Sequence, residues 1–75
     1  LSDVTLDQDP LVLADFTSVI EACRRMSERR CGSVAVVDKA GRLVGIFTGR
    51  DAVSRVLANG RDAAATRLAD VMTRD

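Results

Sequence analysis

The fold is decided by residues 41–51, which read GRLVGIFTGRD. The stretch 43–47 is an apolar run rich in β-branched residues, and this composition favours a β-strand. Gly41 precedes it and can supply the positive φ of a tight turn. Thr48 follows it, with Asp51 three positions on, as at the start of a helix. The stretch therefore predicts a turn, a strand and the first turn of a helix, in that order.

A second β-branched run, 34–37, lies just upstream, and the intervening residues 38–42 include a glycine. Two such runs joined by a short glycine-containing turn predict an antiparallel hairpin. Neither run alternates with polar residues, so we expect both faces of the sheet to be covered. The apolar run 11–13 follows a boundary at Pro10 and predicts another buried strand.

A first helix is predicted between these strands. Ser18 is a suitable N-cap, and Glu21 three positions later completes a capping box. Apolar residues then recur at the spacing of one helix face. These residues are Val19, Ala22, Cys23 and Met26. The helix is expected to end near Arg30, with Gly32 just beyond it.

A second helix is predicted from Thr48 to the Asn-Gly pair at 59–60. Its expected apolar face consists of Ala52, Val53, Val56 and Leu57. Residues 61–67 are polar and alanine-rich and indicate a linker, and 68–72 begin another element. The predicted order is strand, helix, strand, strand, helix.

The composition disfavours several classes of function. Eleven basic and eleven acidic residues give a net charge of zero, which argues against a nucleic-acid partner. With two cysteines and no histidine, the chain holds neither a four-ligand zinc site nor a histidine-based catalytic triad. No apolar run approaches the roughly 20 residues of a membrane span. We therefore expect no enzyme activity, no metal, no membrane span and a cytoplasmic location.

Two further groups of side chains each have two interpretations. Cys23 and Cys31 are either small buried hydrophobes, which we favour, or a disulfide or reactive pair. A basic cluster on the first helix is either a solvated helix face, which we favour, or a phosphate or nucleic-acid patch lacking the usual aromatic residues. The cluster consists of Arg24, Arg25, Arg29 and Arg30.

Taken in order, these segments resemble a CBS (cystathionine-beta-synthase) motif. The resemblance rests on 9–13, 18–26, 31–38, 41–51 and the tail 70–75, DVMTRD. It implies an α/β (α+β) fold, a small β-α-β-β-α unit with two helices packed on a short three-stranded sheet. The resulting division is a leader at 1–8, a CBS motif at 9–60, and a linker with the start of a second motif at 61–75. Ala35 departs from the pattern, because many family members have proline there.

Thr48, Arg50 and Asp51 are the first candidate site. The N-terminus of a helix favours a phosphate, which the Thr48 hydroxyl and the Arg50 guanidinium can also bind. Asp51 can accept hydrogen bonds from ribose hydroxyls, as an acidic residue does in dinucleotide-binding folds. The resemblance implies the same roles for Thr48 and Asp51. The same pattern is also a helix cap that needs no ligand, and both interpretations stay open.

Residues 32–34 are the second candidate site. Gly32 allows a ligand to approach the backbone closely. The backbone groups of Gly32 and Ser33 could bind an adenine edge between apolar walls formed by Val12 and Val34. Alternatively, Gly32 simply ends the first helix.

The resemblance predicts a regulatory module rather than a catalyst. Such a module pairs with a second CBS motif, in the same chain or in a homodimer partner. It binds an adenine nucleotide (AMP, ADP or ATP) as a regulatory ligand, without a cofactor, and modulates an attached effector. The alternative is a structural dimerisation module that needs no ligand.

Overall fold

The computed structural model describes residues 11–74. The expected leader at 1–8, the boundary at Pro10 and the last residue lie outside this range. The strands are β1 (Val12–Ala14), β2 (Ser33–Val37) and β3 (Leu43–Thr48). The helices are α1 (Val19–Arg29), α2 (Gly49–Asp51), which continues as a π-helix (Ala52–Leu57), and α3 (Leu68–Val71). The predicted α+β fold and order of elements are confirmed.

The three strands form one sheet in the order β1-β2-β3. β1 runs parallel to β2, and β2 pairs with β3 as the predicted antiparallel hairpin. The turn between them is closed by Asp38, whose Oδ1 accepts the backbone N–H groups of Ala40 and Arg42 at 2.9 and 3.0 Å. Gly41 has φ +82°, so the predicted use of a glycine in the left-handed region is confirmed.

Helix α1 begins and ends at the positions that its sequence predicts. The Ser18 hydroxyl accepts the Glu21 N–H at 3.3 Å, which satisfies one of the free N–H groups of the first turn. The other half of the predicted capping box does not form, because the Glu21 carboxylate binds Arg25 at 2.9 Å. At the other end Arg30 adopts φ 54° and donates its N–H to the carbonyls of Met26 and Ser27. A non-glycine residue therefore occupies the left-handed position that ends the helix.

The core lies between the inner face of the sheet and the helices. Phe47 is completely buried on β3, beside Val34 and Val36 of β2. Helix α1 contributes the predicted apolar face. Its buried members are Val19, Ala22 and Met26, with Cys23 packed at the edge of the core.

The segment after residue 60 also packs on this core. Leu68, Val71 and Met72 are 0%, 2% and 4% exposed. The N–H of Leu68 donates to the Thr17 carbonyl at 2.9 Å, and Val19 donates to the Thr66 carbonyl at 2.8 Å. These contacts place 66–72 within the same folded unit as the three strands. That the segment also opens a second motif stays a prediction.

The expectation that both sheet faces are covered is wrong for the described chain. The outer face carries a cross-strand row in which Val12 lies opposite Ala35 and Ala35 opposite Ile46. Val12 and Ile46 remain 48% and 47% exposed. Both faces of the strands are apolar, but residues 11–74 contain a layer for one face only. β1 is consequently not the fully buried strand that was predicted.

The predicted apolar face of the second helix is also only half buried. Val56 is 1% exposed and Ala52 is partly buried, whereas Val53 and Leu57 are 59% and 68% exposed. The apolar stripe of this helix is wider than the core covers, so Val53 and Leu57 face outward. Within the described residues, no helix has both the length and the apolar character needed to cross a membrane.

Candidate functional site

The junction between β3 and α2 is a complete capping box. The Thr48 N–H donates to Asp51 Oδ2 at 3.0 Å, and the Asp51 N–H donates to Thr48 Oγ1 at 3.2 Å. Thr48 Oγ1 also lies 3.2 Å from Asp51 Oδ2. The first candidate group is thus held together through the contacts that the cap interpretation predicts.

Asp51 has partners beyond the cap. Its side chain is only 8% exposed, and its Oδ1 lies 3.5 Å from Arg55 Nε. The Thr73 hydroxyl lies 3.1 Å from Oδ1 and 3.3 Å from Oδ2. A buried carboxylate is stable only when it is paired and hydrogen-bonded, and these groups together meet that need. Both oxygens of Asp51 are therefore engaged within the chain.

The second candidate group lies beside the first. Ser33 is the cross-strand partner of Thr48, and the Gly49 N–H donates to the Gly32 carbonyl at 3.1 Å. Gly32 and Ser33 are both exposed. The structure therefore brings Gly32 and Ser33 together with Thr48 at one end of the sheet. The Gly32 carbonyl is already bound by the first residue of α2.

Val12 and Val34 lie on opposite faces of the sheet. Val34 is 1% exposed and belongs to the core, whereas Val12 is 48% exposed on the outer face. The hypothesis that both form the walls of one adenine pocket is therefore wrong. Register explains the difference: Val12 pairs with Ala35, so the neighbouring Val34 points the other way. The apolar surface available next to Ser33 consists of Val12, Ala35 and Ile46.

Arg55, rather than the predicted Arg50, is the arginine that contacts Asp51. The Arg50 side chain is exposed, and its carbonyl accepts the Ser54 hydroxyl at 2.8 Å. Arg55, which the sequence did not indicate as a site residue, lies against Asp51 and also donates to the Met72 carbonyl at 3.5 Å. The i, i+4 spacing between Asp51 and Arg55 is a signal that could have identified this pair.

Thr73 was missed for a different reason. It approaches Asp51 from the far end of the chain, and its backbone pairs with Ile46 through N–H to carbonyl contacts of 2.9 and 2.8 Å. No local spacing rule links positions that far apart. Next to this pairing is a cleft of about 280 Å³, lined by Leu43, Val44, Gly45, Ile46, Thr73 and Arg74.

The remaining side chains singled out in the sequence lie outside the site. Cys23 and Cys31 are free thiols, both partly buried against the core. Burial raises the pKa of the Cys23 thiol, because removal from water disfavours the thiolate. The four arginines of the basic cluster are exposed, as a solvated face requires. Glu21 raises the pKa of Arg25 through its hydrogen bond and its charge.

Comparison with known proteins identifies the family. Residues 1–58 match the model of the CBS domain. The chain belongs to the CBS domain family. A CBS domain-containing protein of Arabidopsis thaliana is 40% identical to this CBS unit over 65 residues. The match covers 87% of the present chain and 12% of the Arabidopsis protein.

Solved structures show the same CBS fold. A CBS-domain containing protein from Agrobacterium tumefaciens superposes with a TM-score of 0.80 at 29% identity, covering 91% of this chain and 51% of its own. A hexameric CBS-CP12 protein from bloom-forming cyanobacteria gives a TM-score of 0.78 at 25% identity, over 89% of this chain and 38% of its own. The present chain thus spans only part of the length of these relatives.

Proposed function

We propose that this CBS chain is a regulatory module that pairs with another CBS motif and binds an adenine nucleotide (AMP, ADP or ATP). Binding would modulate an effector attached to the module. The observation that carries the proposal is the position of Ser33 beside Thr48, at the open end of an exposed apolar sheet face. A polar end next to an apolar wall suits a ligand with a phosphate at one end and a flat base at the other.

The outer sheet face supports the pairing. Val12 on β1 is 48% exposed, and Ile46 and Leu43 on β3 are 47% and 65% exposed. Ala35 of the central strand β2 lies between Val12 and Ile46. Contiguous apolar surface of this kind marks an interaction site. A second CBS motif, in the same polypeptide or in a homodimer partner, would supply the missing layer. The hexamer named for the cyanobacterial relative supports assembly as a property of this fold.

The nucleotide part of the proposal assigns each group a role. The exposed Arg50 guanidinium would bind the phosphate, since arginine offers a charge-assisted, bidentate contact. The hydroxyls of Ser33 and Thr48 would add hydrogen bonds, and Val12 with Ala35 would face the base. Asp51 would accept hydrogen bonds from the ribose hydroxyls, which would replace one of its present partners within the chain.

One observation favours the alternative, a structural dimerisation module that needs no ligand. Asp51 is 6% exposed and is fully engaged by Thr48, Thr73 and Arg55. A carboxylate in this state stabilises the fold whether or not a nucleotide is present. In that case the outer sheet face alone would account for the function.

Calorimetric titration of AMP, ADP and ATP, with sedimentation analysis of the same samples, separates these proposals. Saturable binding that weakens about tenfold in Arg50→Gln supports the nucleotide site, since a lost charge-assisted contact has about that effect. Arg61→Gln is the matched control, because Arg61 is also exposed but lies after the π-helix. A dimer that binds none of the three nucleotides would support the structural module instead.

A further inference from the structure

We propose that residues 73–74 form a displaceable strap over Asp51, and that a ligand diol binding this carboxylate lifts the strap from β3. The inference rests on the proposed nucleotide function. It adds a way in which nucleotide binding at Asp51 changes the structure at the edge of β3. The strap is defined as Thr73 and Arg74, and it begins directly after Met72, which is buried in the core.

Two sets of contacts hold the strap in place, and a third holds the residue before it. The Thr73 hydroxyl lies within 3.1 and 3.3 Å of the two carboxylate oxygens of Asp51. The backbone of Thr73 exchanges two hydrogen bonds with Ile46, of 2.9 and 2.8 Å. Arg55 contacts both Asp51 and the residue before the strap: its Nε lies 3.5 Å from Asp51 Oδ1, and its Nη1 lies 3.5 Å from the Met72 carbonyl. The strap is therefore bound to the candidate site and to the free edge of β3 at once.

Gly45 makes the close passage of the strap possible. A Cβ at this position would lie 2.8 Å from Met72 Sδ and 2.9 Å from the Thr73 carbonyl oxygen. The methionine end is flexible, but the carbonyl belongs to the backbone, so a side chain at 45 would push the strap away. The absence of a side chain at Gly45 thus serves the strap, since its φ is not in the left-handed region.

A ligand hydroxyl would replace the Thr73 hydroxyl at Asp51, because the carboxylate already has partners within the chain. Thr73 is exposed while Asp51 is buried, so the hydroxyl covers the carboxylate from the solvent side. A ribose diol offers hydroxyl donors of the same kind. It can take the place of Thr73 at Asp51 without leaving the buried charge unpaired.

A two-state element of this kind couples sites through differential affinity. If the ligand binds only when the strap is lifted, the apparent affinity equals the intrinsic affinity multiplied by the fraction of molecules whose strap is lifted. By the same linkage, the ligand shifts the strap toward the lifted state. Occupancy at Asp51 then appears as loss of the pairing between Ile46 and Thr73.

Two variants and one control test the strap. Thr73→Val removes the hydroxyl with little change of shape, and Gly45→Ala displaces the strap sterically. Both should tighten AMP binding about fivefold, the equivalent of one net hydrogen bond. Thr17→Val is the control, because Thr17 uses its backbone, not its hydroxyl, in the contacts shown. AMP affinity would be measured by calorimetry on the whole chain.

Amide hydrogen exchange provides the second readout. The N–H groups of Ile46 and Thr73 are the two that the strap pairing protects, so AMP should accelerate exchange at both. 2′,3′-Dideoxyadenosine monophosphate lacks the diol and should leave their exchange unchanged. AMP binding by wild type with unchanged protection, and with no gain in Thr73→Val, would overturn the strap while leaving the proposed function intact. Binding by Thr73→Val alone would support the strap, and binding by neither protein would overturn both proposals.

Discussion

The hydroxyl of Thr73 lies 3.1 Å from Asp51 Oδ1 and 3.3 Å from Oδ2, across 22 positions of sequence. This contact joins the cap of α2 to the segment that follows α3. Stability of the helix start and placement of the tail therefore depend on the same carboxylate.

Asp51→Ala should lower the free energy of unfolding by about 2 kcal/mol, because it removes both the cap and a buried charge-assisted network. Asp70→Ala is the matched control. Asp70 accepts the Arg67 N–H at 3.3 Å at the start of α3 but is exposed, so its loss should cost about 0.5 kcal/mol. Urea denaturation followed by circular dichroism measures both values. Equal losses would contradict the claim that the buried contacts of Asp51 stabilise the fold more than an exposed helix cap does.

Leu68→Ala should destabilise the chain by about 3 kcal/mol, since Leu68 is fully buried and truncation leaves a cavity. Leu57→Ala removes the same atoms from a side chain that is 68% exposed and should change stability by less than about 0.5 kcal/mol. If thermal and urea denaturation show no difference between the two, residues 66–72 do not belong to the core.

Ile46→Lys should reduce self-association of the chain without unfolding it. Ile46 is 47% exposed on the outer sheet face, and a charge there is costly only when that face is covered. Ser27→Lys places the same charge on the exposed side of α1 and should leave association unchanged. Sedimentation equilibrium gives the comparison; a wild-type dimer that persists unchanged in Ile46→Lys would place the interface elsewhere.

Arg30→Gly should stabilise the chain by about 1 kcal/mol, because Arg30 occupies the left-handed region at φ 54° and glycine does so without strain. Glu28→Gly changes another exposed residue to glycine, but inside α1, and should cost about 1 kcal/mol. Opposite signs in thermal denaturation are expected. A loss in both variants would mean that the Arg30 side chain contributes more than its backbone strain removes.

The Cys23 thiol should react slowly with iodoacetamide in the folded chain. Burial raises its pKa, so the thiolate fraction at neutral pH is smaller than in the unfolded chain. The rate should keep rising with pH beyond the point at which the urea-unfolded chain has levelled off. The measurement uses Cys31→Ser, which leaves one thiol. Equal rates in folded and unfolded protein would argue that Cys23 is more accessible than the structure shows.

Features set by neighbouring residues were predictable from the sequence. The hairpin at 38–42, the Ser18 cap and the pairing of Thr48 with Asp51 all follow from short spacings and from the chemistry of turns and caps. The apolar face of α1 likewise follows from its helical period. These rules need no knowledge of the remaining chain.

Features set by distant contacts were not predictable in this way. Nothing local shows that Thr73 reaches Asp51, or that Met72 passes over Gly45. The opposite orientations of Val12 and Val34 depend on the register between β1 and β2, which the sequence alone left open. The uncovered outer face could not be foreseen either, because an apolar strand shows its need for a second layer but not which residues supply it.

The π-helix at Ala52–Leu57 has a consequence for how this chain tolerates changes of length. Its backbone closes at i to i+5, as in the 2.8 Å bond from the Ala58 N–H to the Val53 carbonyl. Each such turn holds about one residue more than an α-helical turn. A chain that arose by insertion of a residue after Asp51 would have this form. Loss of one residue between Val53 and Arg55 would therefore restore an ordinary α-helix while keeping Asp51 and Val56 on the buried side.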